Sequence, residues 1–193
     1  MTTAVSRPST MDNRSDERIR PRGLMQRLTF RWIDGFEKET GVSADYARWM
    51  ANISMRAFMK FAKLGKLAQY RRALPADASH VAHLMAARDE DCGTCVQIGV
   101  SFALRDGVSK DILQAVLDRQ PDRLPPQLAD VYRFAESVVT HVDDDALRER
   151  VRSHYGDEAL IELGLAMAVG RTFPVVKRTL GYAKSCSLVK IKL

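Results

Sequence analysis

Apolar residues recur at helical spacing along this chain, and no convincing run of β-branched residues alternates with a period of two. Successive strand residues point to opposite faces, whereas a helix brings every third or fourth residue back to one face. The pattern therefore predicts an all-α chain without a sheet. Pro and Gly supply the breaks. A first helix is expected from about Leu24 to Glu39, ending near Gly41, and a second from about Ser43 to Arg72. On the second, Met55, Phe58, Met59, Phe61, Ala62 and Leu64 share a broad face, with Arg56, Lys60 and Lys63 opposite. Such a face suits core or subunit packing, and also a membrane surface.

Further breaks set the later helices. After Pro75, Asp77 or Ser79 can cap a helix over His80 to Arg88. The next carries Val96, Ile98, Val100, Phe102 and Leu104 and stops at Asp106-Gly107, and Ser109 is a good cap for its successor. Pro126 suits the first turn of a helix bearing Leu128, Val131, Tyr132, Ala135, Val138 and Val139. A turn at Asp143 to Asp145 opens a helix that closes at Tyr155-Gly156, and Asp157 caps another. Pro174 is expected to kink or break that helix, leaving a last one from Pro174 to about Ser185. Residues 1–23 are polar and without period, an expected extended arm, and residues 24–193 are expected to form one all-helical domain, since the chain's 193 residues are ordinary for a single core.

The chain has three cysteines. That number cannot build a secreted disulfide framework, residues 1–23 lack an apolar signal-peptide run, and no stretch reads as apolar and long enough to span a bilayer. A cytoplasmic setting is the expectation. The net charge of +6 is concentrated in two acid-free stretches, Arg56 to Arg72 and Arg171 to Lys192. These read as solvated faces or as the entrance for an anionic substrate. No nucleic-acid-reading motif accompanies them, so no nucleic-acid partner is expected.

Two of the cysteines form Cys92-Gly93-Thr94-Cys95, directly after Asp89-Glu90-Asp91. At a helix start the two sulfurs share the first turn, where unpaired N–H groups stabilise a thiolate. Three uses of the pair stand open: a reversible disulfide, a metal clamp, or inert core packing. His80-x-x-His83 followed by the cysteines supplies two imidazoles and two sulfurs, the donor set of a tetrahedral zinc site. The three acids would oppose ionisation of Cys92, and Cys95 lies a turn further from them. Glu162, inside an apolar helix, must face a partner, a cavity or an interface. Trp32 and Trp49 are expected in the core or at a subunit contact, His141 and His154 at the surface near helix ends, and Cys186 as a free thiol in a basic tail.

The ordered combination of Cys92-x-x-Cys95, Asp106-Gly107-Val108-Ser109, Ala129-Asp130-x-x-x-Phe134-Ala135 and Tyr155 to Leu163 resembles the carboxymuconolactone decarboxylase and alkylhydroperoxidase D-like family. The resemblance covers about Pro75 to Tyr182. It implies an all-α bundle with the CxxC at the start of a central helix. It also implies a homo-oligomer (trimer, dimer or hexamer) that needs no cofactor. In redox-active members the dithiol reduces a small hydroperoxide or the disulfide of a partner protein. The second cysteine, here Cys95, attacks, and the first, here Cys92, resolves. The family's proton-relay Glu and His positions hold His80 and Gly99 here, so the relay is incomplete. His80, or His83 one turn on, is the expected substitute base. Other members decarboxylate a lactone without cysteines. The rival to enzymatic function is a helical oligomer whose cysteines are incidental or hold zinc.

Overall fold

Ala78, Val81, Ala82, Leu84, Met85, Ala86 and Ala87 make one helix apolar on nearly every side, and such a helix is stable only when surrounded. That helix, α5 (Ala76–Asp89), is the axis of the molecule. The computed structural model describes Arg20, Pro21 and residues 23–193, and every regular element among them is helical. The expected arm over residues 1–23 lies almost wholly outside the described residues.

Before α5 come α1 (Leu24–Thr40), α2 (Asp45–Ile53), α3 (Met55–Ala62) and α4 (Leu64–Ala68). After it come α6 (Gly93–Arg105), α7 (Lys110–Leu117), α8 (Pro126–Val139) and the long α9 (Asp145–Thr179). Short 3-10 turns cover Pro121–Arg123 and Cys186–Leu188. α9 packs chiefly on α5, and α8, α6 and α7 pack around the same axis. The alanines of α5 let its neighbours come close. The tightest approach is at Gly170 of α9, where a Cβ would lie 2.7 Å from the His83 carbonyl oxygen.

Two hydrophobic clusters result. The larger joins α5 to α9 through residues such as Leu84, Val100, Leu113, Tyr132 and Leu163. The smaller joins α1 to α3 through Phe30, Ile33, Tyr46, Met50 and Phe58, with Val176 and Leu180 at the end of α9 packed against it.

Several boundaries follow the sequence reading. Gly41 closes α1 with φ +68°, a left-handed value that suits glycine at a helix end. Ser109 caps α7 by accepting from the Ile112 N–H at 3.3 Å, and Asp144 caps α9 by accepting from Leu147 at 2.8 Å. Others do not. The expected helix over 43–72 is three short ones, because Ser54 is extended and its hydroxyl oxygen caps α3 by accepting from the Ala57 N–H. Pro174 does not break α9. The interruption sits at Gly156, whose φ of +88° is open to glycine and costly for other residues. By length and composition α9 is also sufficient to cross a membrane, contrary to the expectation that no segment is. In this fold its buried residues face α5 and α8.

Glu162 of α9 ties the two halves together. Its side chain is 1% exposed, and its carboxylate accepts the backbone N–H groups of Arg72, Ala73 and Leu74 at 2.7, 3.1 and 2.7 Å. Burial works to raise its pKa, but these three donors outweigh that and hold it below the ordinary value. The partner the sequence demanded is therefore the linker that brings the chain from α4 into α5.

Candidate functional site at the CxxC pair

Cys92 is the N-cap of α6, and its carbonyl accepts the N–H groups of Cys95 and Val96, both at 2.9 Å. That turn brings the two sulfurs together as a disulfide, with the Cα atoms 5.2 Å apart. The two cysteines face different surroundings. Cys92 is sealed at 0% exposure, whereas Cys95 is 6% exposed and belongs to the wall of a cavity of about 430 Å3.

The cavity lies between the two hydrophobic clusters. Its apolar wall includes Trp32, Phe36, Phe58, Phe61, Phe102 and Phe173. Edge-to-face pairs such as Phe61–Phe173 and Phe36–Phe102 hold the rings in place. Its polar wall includes His80, His83, Arg71, Asp106 and Lys177, with Lys63 and Lys66 on the α3–α4 side. Part of the basic stretch between Arg56 and Arg72 thus reaches the site.

His80 and His83 both reach this cavity but differ in kind. His80 Nε2 lies 2.8 Å from Asp106, which also receives Arg71 at 2.9 Å and Arg105 at 3.0 Å. Burial works to raise the Asp106 pKa, but hydrogen bonds from His80, Arg105 and Arg71 override it and hold it at about 2. Burial also depresses His80, while Asp106 pulls the other way. His83 is half-buried, and part of its ring faces the cavity. Burial, reinforced by the charge on His80, lowers it to about 4, so it is neutral at neutral pH. Its Nδ1 lies 3.3 Å from the Ala166 carbonyl oxygen. A carbonyl can only accept, so Nδ1 carries the proton and Nε2 keeps its lone pair.

Gly99 and His83 are connected sterically. A Cβ at Gly99 would lie 2.8 Å from Leu84 Cδ2, 3.4 Å from His83 Cδ2 and 3.7 Å from His83 Nε2. The imidazole from α5 thus fills the space beside the position where the resemblance calls for a His on α6.

The acids before the CxxC are each taken up by partners further along the chain. Glu90 pairs with Arg171 at 3.0 Å and Arg178 at 3.5 Å, and Asp89 reaches Arg171 at 3.6 Å. Asp91 accepts from the Ser185 hydroxyl at 3.0 Å and the Cys186 N–H at 2.8 Å. Asp89 and Glu90 thus meet the end of α9, and Asp91 meets the C-terminal segment, which runs back over the CxxC. Gly93 N–H donates to the Lys184 carbonyl at 2.9 Å, and the Gln97 amide pairs with the backbone of Lys192 at 2.7 and 3.2 Å. Cys186, remote in sequence, therefore lies beside Gly93. A Cβ on Gly93 would come within 3.0 Å of the Cys186 Cα.

Lys177 escaped the sequence reading, which saw only part of a basic tail. Its side chain is 2% exposed, donates to Thr94 Oγ1 at 2.8 Å, and lies 4.9 Å from the centre of the Tyr46 ring. Burial and then the nearby Lys184 lower its pKa to about 8. Its i, i+3 and i+4 neighbours Pro174, Phe173 and Gly181 could have marked an inward face, but the charge masked it.

The remaining residues fall away from the site. His154 pairs with Asp130 at 3.4 Å, His141 sits in a turn with φ +60°, Trp32 is 60% exposed at the cavity rim, and Trp49 packs against the smaller cluster. The two sulfurs are bonded to each other, and among the described residues no three His, Cys, Asp or Glu side chains gather into a metal-holding group. No family model, curated protein or solved structure matches the chain.

Proposed function

We propose that the protein is a thiol–disulfide oxidoreductase of the alkylhydroperoxidase D-like kind, which reduces a small organic hydroperoxide with the Cys92–Cys95 dithiol. The observation that carries this reading is the asymmetry of the pair: Cys95 opens onto an aromatic cavity and Cys92 is sealed behind it. A nucleophile needs access to its substrate, and a resolving thiol needs only access to the nucleophile. The enclosed, ring-lined space favours a small apolar hydroperoxide over the disulfide of a partner protein, which would need an exposed sulfur.

The steps balance within the dithiol. The Cys95 thiolate attacks the terminal peroxide oxygen, the O–O bond breaks, an alcohol leaves, and Cys95 becomes a sulfenic acid. Cys92 then attacks that sulfur, water leaves, and the disulfide forms. His83 is the better placed of the two histidines to take the Cys95 proton. It is neutral at neutral pH with a free Nε2 toward the cavity side, whereas His80 is committed to Asp106. A dithiol re-reduced after each turnover suits a reducing, cytoplasmic setting. The exposed Leu24, Met25 and Leu28 on α1 support the homo-oligomeric part of the reading, which light scattering tests by mass.

Cysteine variants test the roles. With reduced protein and an organic hydroperoxide, Cys95→Ser abolishes peroxide consumption. Cys92→Ser permits one turnover and leaves a sulfenic acid on Cys95 that a dimedone-type probe traps. Full consumption by Cys95→Ser contradicts the assignment.

A further inference from the structure

Lys177 is a buried ammonium, and among the described residues no carboxylate pairs with it. Removing a cation from water without an anion is costly, so such a group is retained where a negative charge forms beside it. The nearest polar chain leads to the disulfide. Lys177 Nζ lies 2.8 Å from Thr94 Oγ1, and Thr94 Oγ1 lies 3.6 Å from Cys92 Sγ. The direction of both contacts is fixed by chemistry. An ammonium only donates, and a disulfide sulfur carries no hydrogen and only accepts. Thr94 therefore accepts from Lys177 and turns its single O–H toward Cys92.

We propose that Lys177 and Thr94 form a proton path to Cys92 that supports its sulfur as the leaving thiolate when the disulfide is reduced. This rests on the thiol–disulfide reading above and supplies the reductive half of the cycle. The electron donor is a small dithiol entering the cavity. One of its thiolates attacks Cys95 Sγ, the accessible sulfur, forming a mixed disulfide. The Cys92–Cys95 bond breaks and its electron pair goes to Cys92. Thr94 delivers its hydroxyl proton to that sulfur as Lys177 passes one of its own to Thr94. Cys92 becomes a thiol and Lys177 a neutral amine, which recovers its proton from solvent. The donor's second thiolate then attacks the donor sulfur of the mixed disulfide, freeing Cys95 as a thiolate and releasing the oxidised donor.

Burial has already lowered Lys177 to about 8, which makes it a readier proton donor than an ordinary lysine. The same group then stands a residue away from Cys95 as the reduced pair waits for peroxide. Thr94 touches the reacting Cys92 sulfur and is a catalytic residue, whereas Lys177 acts through Thr94 and is a positioning residue.

The test is the rate at which dithiothreitol reduces the disulfide of the full chain at neutral pH, followed with the isosteric Thr94→Val, with Thr94→Ser and with Lys177→Met. Thr94→Val and Lys177→Met are expected to slow reduction about tenfold, and Thr94→Ser, which keeps the hydroxyl, to restore the wild-type rate. Rates within twofold of wild type in Thr94→Val, or a Thr94→Ser rate as slow as Thr94→Val, overturn the proposal. So does a wild-type disulfide that dithiothreitol does not cut. A pair that is reduced in this Lys177-dependent way yet is not reoxidised by hydroperoxide contradicts the peroxidase reading alone.

Discussion

The bundle α5 to α9 and the layer α1 to α4 face one cavity with different materials. Behind the cavity wall the bundle packs small and branched residues closely, Ala82, Val96, Val100 and Leu163 among them; it holds both cysteines, and to the cavity it presents Cys95, both site histidines, Phe102 and Phe173. The layer offers rings, such as Phe58 and Phe61, on short helices broken at Ser54 and at Lys63. Close packing fixes geometry, and short helices with few buried contacts open at lower cost. The difference teaches that the proposed chemistry would sit on the closely packed half, with the cavity bounded on its other side by the short helices. Glu162 joins them by holding the linker at Arg72 to Leu74.

Breaking that joint has the largest expected effect. Glu162→Ala leaves three backbone N–H groups without their acceptor and should cost about 3 kcal/mol or more in urea denaturation. Next is acid. His83, and less so His80, is held below its ordinary pKa, so the unfolded chain binds protons that the folded chain refuses. Stability from this source is full above about pH 6.5 and is lost as the pH falls toward about 4, by an amount on the order of 3 kcal/mol. His83→Asn should flatten that part of the curve. The smallest effect belongs to the rim. Trp32→Ala should change stability by less than about 0.5 kcal/mol, because most of that side chain is already in water. Hydrogen exchange sharpens the comparison directly. Amides of α2 and α3 should exchange well before those of α5, and equal protection would erase the distinction between the halves.

How much of this the sequence disclosed depends on the range of the interaction. The all-α class, the α1 stop at Gly41, the Ser109 cap, the break at Gly156 and the CxxC at a helix start rest on local rules, and they were legible. The pairing of Cys92 with Cys95 was one of several open uses. Pro174 was misjudged because α9 is held by packing along its length, which outweighs one missing backbone donor. The long helix expected over 43–72 failed because Ser54 competes for the backbone as a cap. What was illegible came from residues far apart in sequence: Arg171 and Arg178 neutralising Glu90, His83 filling the space at Gly99, and Lys177 reaching Thr94. A charge in a basic tail carries no local sign that it points inward.

The central claim is that Cys95 reacts with a hydroperoxide from the cavity and Cys92 resolves it. The most direct measurement mixes fully reduced protein with one equivalent of an organic hydroperoxide, quenches with an alkylating agent and maps the thiols by mass spectrometry. The account predicts that one equivalent is consumed, that the Cys92 and Cys95 thiols are lost together to an internal disulfide, and that Cys186 is still alkylated. Peroxide consumed no faster than by Cys95→Ser, or a Cys92–Cys95 pair that stays alkylatable after peroxide is gone, would contradict it.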